Sequence, residues 1–402
     1  MYVLVVNAGS SSLKYQLMDT NTEAVLAKGL CERIGIDGRI EHKNADGTKT
    51  ERDIPMPNHS VAIQIVVDTL TDPEVGCISD MSQIEAVGHR AAHGGNYFSD
   101  NVYIEGDVME RFELCREIAP LHTGPHIMGI EGCTAVMPNV PQVIVFDTVF
   151  HKTMPDYAYM YALPYEMYEK YSIRRYGFHG TSHGYVANEM AKVLGRPIEE
   201  TKIITCHIGN GSSITAVNGG KCVDTSMGFT PLAGVEMGTR CGDIDPAVVT
   251  YIMNKEGYTP DEMSNFMNKK SGLLGVSGIS SDSRDIEAAV RNGDYRATLA
   301  ANILGYGIKK YIGSYIAAMN GVDAIVFTAG MGENNAEMRE RVCKDMEFFG
   351  IKIDLEANAK TYKPQGPMEI STPDSKVKVY VIPTNEELMI ARETDRIVSA
   401  RK

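Results

Sequence analysis

The eight cysteines of this 402-residue chain form no CxxC pair, and their scatter (Cys31, Cys77, Cys115, Cys133, Cys206, Cys222, Cys241, Cys343) fits neither zinc nor redox spacing. A chain of this length does not need disulfides to hold a core, so reduced thiols in a cytosol are expected. No stretch approaches 18 apolar residues, and Met1-Tyr2-Val3-Leu4-Val5-Val6 is too short for a secretory core and lacks a basic leader, so a cytoplasmic location is expected. Positive charge is scarce: 39 basic residues face 52 acidic ones, a net charge of −13 that repels polyanions and anionic lipid. Neither nucleic acid nor a membrane is an expected partner. Any anionic substrate must be drawn by a few placed cations. The usual nucleotide fingerprints are also incomplete. Gly330-Met331-Gly332 lacks the third glycine of a dinucleotide motif, and Gly219-Gly220-Lys221 lacks the leading glycine of a P-loop and runs into Cys222.

The chain does have a recurrence. An apolar strand breaks into a small-residue turn and resumes as a second strand at Val5–Leu17, around Asn7-Ala8-Gly9-Ser10-Ser11-Ser12, and again at Ile203–Ala216, around His207-Ile208-Gly209-Asn210-Gly211. Such turns can aim successive backbone N–H groups and hydroxyls into one concavity that suits a phosphate chain. Two of them half a chain apart predict a duplicated domain that grips a nucleotide. A length of 402 residues predicts two to three domains, and 43% apolar with 23% charged residues is ordinary for a well-cored globular protein. Strand-like runs at Val3–Val6, Leu13–Met18, Ala86–Gly88, Val143–Phe146, Ile203–Ile208, Ile214–Val217, Ala324–Thr328 and Val377–Ile382 alternate with helical periodicity at Val61–Leu70, Tyr185–Leu194, Leu299–Met319 and Glu386–Ser399. That alternation predicts an α/β fold. No low-complexity linker separates the halves, which predicts a shared cleft, with the last helix returning to the first domain.

Arg90 and Arg240 each stand among small residues that admit a ligand closely, in Gly88-His89-Arg90-Ala91-Ala92 and Met237-Gly238-Thr239-Arg240-Cys241-Gly242. Guanidinium forks bind phosphate or carboxylate bidentately, so one arginine in each half is suited to clamp a transferring phosphoryl group; a surface ion pair is the ordinary alternative for each. Asp147 ends the buried-looking run Val143-Ile144-Val145-Phe146, and Glu386-Glu387 opens the last helix, positions suited to Mg²⁺ or, for Glu386, to plain first-turn capping. Two histidine pairs, His89/His93 and His179/His183, have i,i+4 spacing, but neighbouring glycines argue against regular helix and no third zinc ligand is marked. Gly180-Thr181-Ser182-His183-Gly184 matches a nucleophile-elbow pattern without the preceding strand or the downstream acid that a hydrolase needs.

Together these segments closely resemble the acetokinase family, within the superfamily of sugar kinases, Hsp70 and actin. The resemblance runs over nearly the whole chain. It includes Asn7–Lys14, Gly88-His89-Arg90, Ala119–His122, Phe146-Asp147-Thr148, Arg175–His183, His207–Gly211, Asp224–Gly228, Gly242–Pro246, Ser281–Arg284, Gly330–Asn334 and Asn385-Glu386-Glu387. It implies duplicated ribonuclease-H-like (actin-like) domains with mixed sheets, helices on their flanks and an interdomain active-site cleft. The first domain would be residues 1–148 plus 386–402, and the second residues 149–385. It implies Asn7 and Glu386 at a Mg²⁺ site that Mn²⁺ can also fill. Lys14, Ser10 and Ser12 would lie near the nucleotide phosphates, and His207, Ile208, Gly209, Asn210, Gly211, Asp282, Ser283, Arg284, Gly330, Met331, Gly332, Glu333 and Asn334 would hold ATP or ADP. Arg90 and Arg240 would hold substrate and phosphoryl group beside His179 and Asp147. Ala92, Leu121, His122, Phe178 and Pro231 would wall a pocket for a short acid. A homodimer is implied.

Three departures stand out against the resemblance: Ala91-Ala92 where relatives usually carry Val-Val, Thr123-Gly124-Pro125-His126 where they carry Asn-Pro-Ala-Asn, and Cys241 for a usual Ser. The first enlarges the expected acid pocket, and a methylene of discrimination is worth about 1–3 kcal/mol, so propionate or butyrate is the nearer alternative to acetate. A non-catalytic ATP-driven switch is the alternative of another class, and it leaves Arg90, Arg240, Phe178 and His179 without a purpose. A short carboxylic acid is already an anion at neutral pH and needs no general base, so direct in-line transfer from ATP is expected, with Asp147 orienting a metal-bound water or Arg240.

Overall fold

The computed structural model describes residues 1–401. The chain forms two compact units: Met1–Val149 with the segment from Asn385 onward, and Phe150–Thr384. The strands are β1 (Tyr2–Ala8), β2 (Ser12–Asp19), β3 (Ala24–Glu32), β4 (Arg39–Asn44), β5 (Lys49–Asp53), β6 (Ala86–Ala91), β7 (Val102–Tyr103) and β8 (Gln142–Phe146) in the first unit. The second holds β9 (Lys202–Ile208), β10 (Ser212–Asn218), β11 (Lys221–Thr225), β12 (Ala324–Thr328), β13 (Met368–Glu369) and β14 (Lys378–Val381).

The first sheet has the order β5-β4-β3-β2-β1-β6-β8-β7 and the second β11-β10-β9-β12-β14-β13. Each is mixed, and the two share a plan. The first strand pairs antiparallel with its hairpin partner (β1 with β2, β9 with β10) and parallel with a later strand (β1 with β6, β9 with β12), which pairs parallel with another (β6 with β8, β12 with β14). Parallel neighbours need crossovers, and helices supply them. The duplication read from the two small-residue turns is therefore present in topology.

Because successive strand side chains point to opposite faces, one sequence parity meets one layer of helix. Leu4, Val6 and Ala8 of β1 share a core with the helix His59–Leu70. Val5 and Asn7 lie on the other face with Ile390 of the C-terminal helix Glu386–Ser399. That helix approaches β6 closely: a Cβ on Gly88 would stand 2.3 Å from Thr394 Oγ1 and 2.9 Å from Ile390 Cγ2. In the second unit Ile204, Cys206 and Ile208 pack with the long helix Tyr295–Met319. Ile203 packs with Val186, Ala187 and Met190 of the helix Gly180–Leu194, so Thr205 and His207, two and four residues on, belong to that helix's face. Among the described residues no helix is long and apolar enough to cross a membrane.

The chain from Gly180 folds as a regular helix of 15 residues with His179 as its N-cap. This overturns the expectation that glycine neighbours exclude helix there: Gly180 and Gly184 fall in the first two turns, and a Cβ on Gly184 would sit 3.2 Å from the Phe150 ring.

Candidate active site

In the first unit, parity places Asn7 at the carboxyl end of β1 on the face where the C-terminal helix begins. Asn385 caps that helix, its Oδ1 accepting the Leu388 N–H at 3.0 Å, and Glu386 and Glu387 occupy its first turn. Asn7, Lys14, Arg90, Glu386 and Glu387 line one small cavity of about 40 Å³ with Val5, Tyr15 and Ile390. Asn7 carries an amide oxygen and Glu386 a carboxylate, hard oxygen donors of the kind Mg²⁺ takes one or two of while keeping its waters. This donor set fits that ion. No cluster of three or more His, Cys, Asp or Glu side chains suited to a metal occurs among the described residues.

Arg90 donates to Asp147 Oδ2 at 2.5 Å; Asp147 is buried and the arginine side chain is one quarter exposed. The Asp147 carboxylate, aided by Glu386, holds the Arg90 pKa above its ordinary value against the opposing effect of burial. The guanidinium's Nε is buried without a hydrogen-bond partner. Arg90, on the neighbouring strand end, is thus one partner of Asp147. Ala92 is buried two residues further on, and its N–H donates to Nε2 of His126 at 3.2 Å. His126 is pushed down to about 3 by burial, then by the charge of Arg90, and remains a neutral acceptor. Leu121 is 81% exposed and His122 is exposed beside it, at the start of the helix Pro120–Val136. Ser10 is exposed, while Ser12 closes the β1–β2 turn by accepting the Gly9 N–H on its carbonyl at 2.8 Å.

In the second unit a cavity of about 590 Å³ is lined by Gly209, Asn210, Asp282, Ser283, Arg284, Gly330, Met331 and Asn334 from the expected nucleotide segments. Ser281, at the head of the Ser281–Arg284 segment, also lines it, and six further lining residues come from sequence that gave no signal: Glu287, Arg291, Asn335, Glu337, Tyr362 and Lys363. Ile208 is fully buried, and Gly332 backs onto β12, where a Cβ would meet the Phe327 carbonyl carbon at 3.4 Å. Glu333 is a staple: its Oε1 accepts from Ala329 N at 2.9 Å and Thr384 N at 3.2 Å. Ala329 has φ of 65°, a left-handed conformation that a non-glycine residue adopts at a cost of about 1–3 kcal/mol and that clusters at functional turns. Arg339, fully buried, fastens this region. Its guanidinium donates to the carbonyls of Gly332, Asn358 and Thr361 at 2.9, 3.0 and 2.9 Å and to Asn358 Oδ1 at 2.7 Å.

Arg240 and His179 flank the β9–β10 turn. A Cβ on Gly211 would meet Arg240 Nη1 at 3.3 Å and the His179 ring at 3.5 Å, so glycine there lets both approach the backbone. Arg240 donates to the Pro231 carbonyl at 3.2 Å, and no carboxylate pairs with it among the described residues. Burial alone lowers its pKa. A half-buried guanidinium with no counter-charge is suited to an anion from solution. His179, also left-handed at φ 57°, stacks on His207 with ring centroids 4.1 Å apart. Phe178 is buried, and its carbonyl accepts from His151 Nε2 at 2.8 Å. Ser182, of the elbow-like pattern, is wholly buried and hydrogen-bonds His207 Nδ1 and Thr384 Oγ1, each at 2.7 Å, so it offers no exposed nucleophile.

The sequence profile described as the acetokinase family matches residues 2–392. The chain is 59% identical over 400 residues to acetate kinase from Methanosarcina barkeri, covering 99% of this chain and 97% of that one. It is 58% identical over 399 residues to acetate kinase from Acetivibrio thermocellus, covering 99% of each. Among solved structures it superposes on Porphyromonas gingivalis acetate kinase with a TM-score of 0.95 at 48% identity, covering 99% of each chain. A propionate kinase from Francisella tularensis superposes with a TM-score of 0.90 at 40% identity, covering 98% of this chain and 99% of that one. Full-length similarity at this level, on a duplicated α/β topology that carries Arg90 and Asp147 at strand ends and His179 and Arg240 beside the β9–β10 turn, shows that the chain belongs to the acetokinase family.

Proposed function

We propose that the protein catalyses reversible phosphoryl transfer between ATP and acetate, giving acetyl phosphate and ADP. The observation that carries this reading is Arg240, a half-buried guanidinium with no carboxylate partner beside His179 at a phosphate-type glycine turn. An ATP-driven switch has no use for such a cation. The physical difficulty of the reaction is that acetate and a polyphosphate repel each other, because the acid is already ionised at neutral pH. Arg90 and Arg240 answer it by placing donors on the carboxylate and on the equatorial phosphoryl oxygens. Asp147 fixes the direction of the Arg90 fork. With an ionised nucleophile no base is required, and transfer is direct and in line.

Asn7 and Glu386 would hold Mg²⁺, or Mn²⁺ in its place. When bound, that ion supplies further neutralisation of phosphate oxygens. The cavity edged by Asp282, Arg284 and Gly330 would take the nucleotide, with backbone N–H groups of the glycine turn on its phosphates. A cytoplasmic homodimer is part of the same reading, and sedimentation tests the assembly.

The deciding experiment traps acyl phosphate with hydroxylamine while the protein turns over Mg·ATP with acetate, propionate or butyrate, alongside Arg90→Ala and Arg240→Ala. Acetate-led turnover lost in either variant is expected. ATP binding with no acyl phosphate from any acid would overturn the reading, and removing metal with EDTA should abolish turnover until Mg²⁺ is restored.

A further inference from the structure

Behind His179 lies a chain of buried polar groups that the transfer chemistry leaves unused. His179 Nδ1 is 2.9 Å from Ser213 Oγ, which is 2.6 Å from His183 Nε2. His183 Nδ1 is in turn 2.7 Å from Thr205 Oγ1. The sequence builds this line simply. Ser213 faces His207 across the β9–β10 ladder and Thr215 faces Thr205, so the strand parity that aims Thr205 at the helix Gly180–Leu194 aims Ser213 there too. His183 lies one helical turn after His179, on the same face, its N–H on the His179 carbonyl at 2.9 Å.

Three hydrogen bonds in series have two self-consistent directions. In one, His179 Nδ1–H donates to Ser213, Ser213 to His183 Nε2, and His183 Nδ1–H to Thr205. The Thr205 hydroxyl then has only the Thr215 carbonyl, 3.5 Å away, for its own proton. In the other, Thr205 O–H donates to His183 Nδ1, His183 Nε2–H to Ser213, and Ser213 O–H to His179 Nδ1. The protons of Thr205, His183 Nε2 and Ser213 then each have a partner within 2.9 Å. A buried donor without an acceptor costs about 1–3 kcal/mol, more than an idle lone pair, so the second direction prevails. Thr205, Ser213 and His183 are wholly buried. Burial, with the charges of His151 and His207 adding to it, keeps the His183 pKa well below its ordinary value, so the ring stays neutral with one donor and one acceptor nitrogen.

We infer that His183 and Ser213 are positioning residues that set the tautomer of His179, loading its Nδ1 with a donated hydrogen bond so that Nε2 carries the proton. His179 is thereby a neutral donor at Nε2, able to hydrogen-bond an anionic phosphoryl oxygen without first being protonated. The role at the phosphoryl group rests on the proposed function; the tautomer itself does not.

The test is nitrogen NMR of the whole protein labelled with ¹⁵N-histidine, with the His179 resonances assigned by their loss in His179→Gln. The wild-type protein should show His179 protonated at Nε2, and Ser213→Ala should turn it into a mixture of tautomers. The same variant should lose about 10–100-fold in kcat, the usual weight of a group that orients a working ligand, while KM for acetate and ATP moves by no more than about twofold. His183→Gln, whose amide can still donate to Ser213, should recover most of what His183→Asn loses. A wild-type His179 protonated at Nδ1, a tautomer indifferent to Ser213→Ala, or a tautomer shift with unchanged kcat would each overturn the inference. If His183 variants fail to fold, Ser213→Ala alone decides. Wild-type protein that forms no acyl phosphate would refute the proposed function while leaving the tautomer measurement standing.

Discussion

Replacing Asp147 by Asn tests the division of labour at the first strand ends. The shapes of the two side chains are nearly the same, so the change removes a charge and little else. The lost partner is a carboxylate oxygen 2.5 Å from an arginine whose side chain is 25% exposed, against 2% for the aspartate. Breaking a fully buried pair costs about 3–5 kcal/mol. Here water reaches one partner and the asparagine oxygen still accepts a neutral hydrogen bond, so the stability loss should be about 1–3 kcal/mol, the worth of one charged hydrogen bond. The effect on transfer should be larger, because the Arg90 fork loses its direction: about 10²–10³-fold in kcat, typical of an electrostatic donor gone astray. The assay is hydroxylamine trapping of acyl phosphate at saturating Mg·ATP across about pH 6 to 9, a range in which the acid is fully ionised. The drop should be the same at every pH, with KM for acetate raised. A variant that kept both Michaelis constants and its metal requirement but gained a new pH-dependent limb would show Asp147 to be a proton-transfer group, and this account of it would be wrong.

Gly272 has φ of +63°, and a Cβ there would stand 2.1 Å from the Met237 carbonyl oxygen and 2.8 Å from that of Arg240. Gly272→Ala should therefore push the Arg240 turn and cut kcat by about 10²-fold; crystals showing an unmoved Arg240 would refute this. Arg339→Met leaves four buried acceptors without their donor and should cost at least about 1–3 kcal/mol of stability. It should also raise KM for ATP while sparing KM for acetate, and equal changes in both constants would count against a role confined to the nucleotide wall. Glu236 is buried, no hydrogen-bond partner meets either carboxylate oxygen, and burial raises its pKa from 4.5 to about 8, outweighing the opposing backbone of Leu304. The folded state then holds a proton that the unfolded state has lost, so this residue's contribution to stability falls as pH rises from 4.5 to about 8. The loss is about 3–5 kcal/mol at most. The Tm advantage of Glu236→Gln should be smallest near pH 5 and largest above pH 8, and a difference independent of pH would rule the effect out. Ala92→Val should lower propionate turnover relative to acetate, by no more than about 1–3 kcal/mol of discrimination; an unchanged ratio in the trapping assay would place the pocket elsewhere.

The strands that the sequence announces are those buried on both faces, such as Gln142–Phe146 and Ala324–Thr328, where an unbroken apolar run leaves no other home. The strands Ala24–Glu32 through Lys49–Asp53 pass unnoticed because they extend one side of the sheet towards solvent, and Lys49–Asp53 has no buried residue at all. The helix Pro120–Val136 is hidden by Pro125 and three glycines. Gly129 and Gly132 are there because neighbours come close: a Cβ would meet that of Ala8 at 2.6 Å and the backbone of Ser60 at 3.2 Å. At the site, glycine turns and isolated arginines are visible because each carries its chemistry in a few adjacent residues. The fork of Arg339, the lining Tyr362 and Lys363, and the pairing of Ser213 with His183 join positions 19 to 30 or more residues apart. No local pattern marks such pairs.

The first unit is interrupted. Its sheet is made from residues before Val149, yet the helix that covers the Val5 and Gly88 face begins only after Asn385. On a ribosome adding about 5–20 residues per second, the 235 intervening residues, Phe150–Thr384, keep that face waiting for roughly 12–50 s. The second unit is continuous and can close as soon as it emerges. Synthesis therefore completes the later domain first, and the earlier one spends its youth with an apolar surface on which chaperones, or a neighbouring nascent chain, compete with residues 386–399.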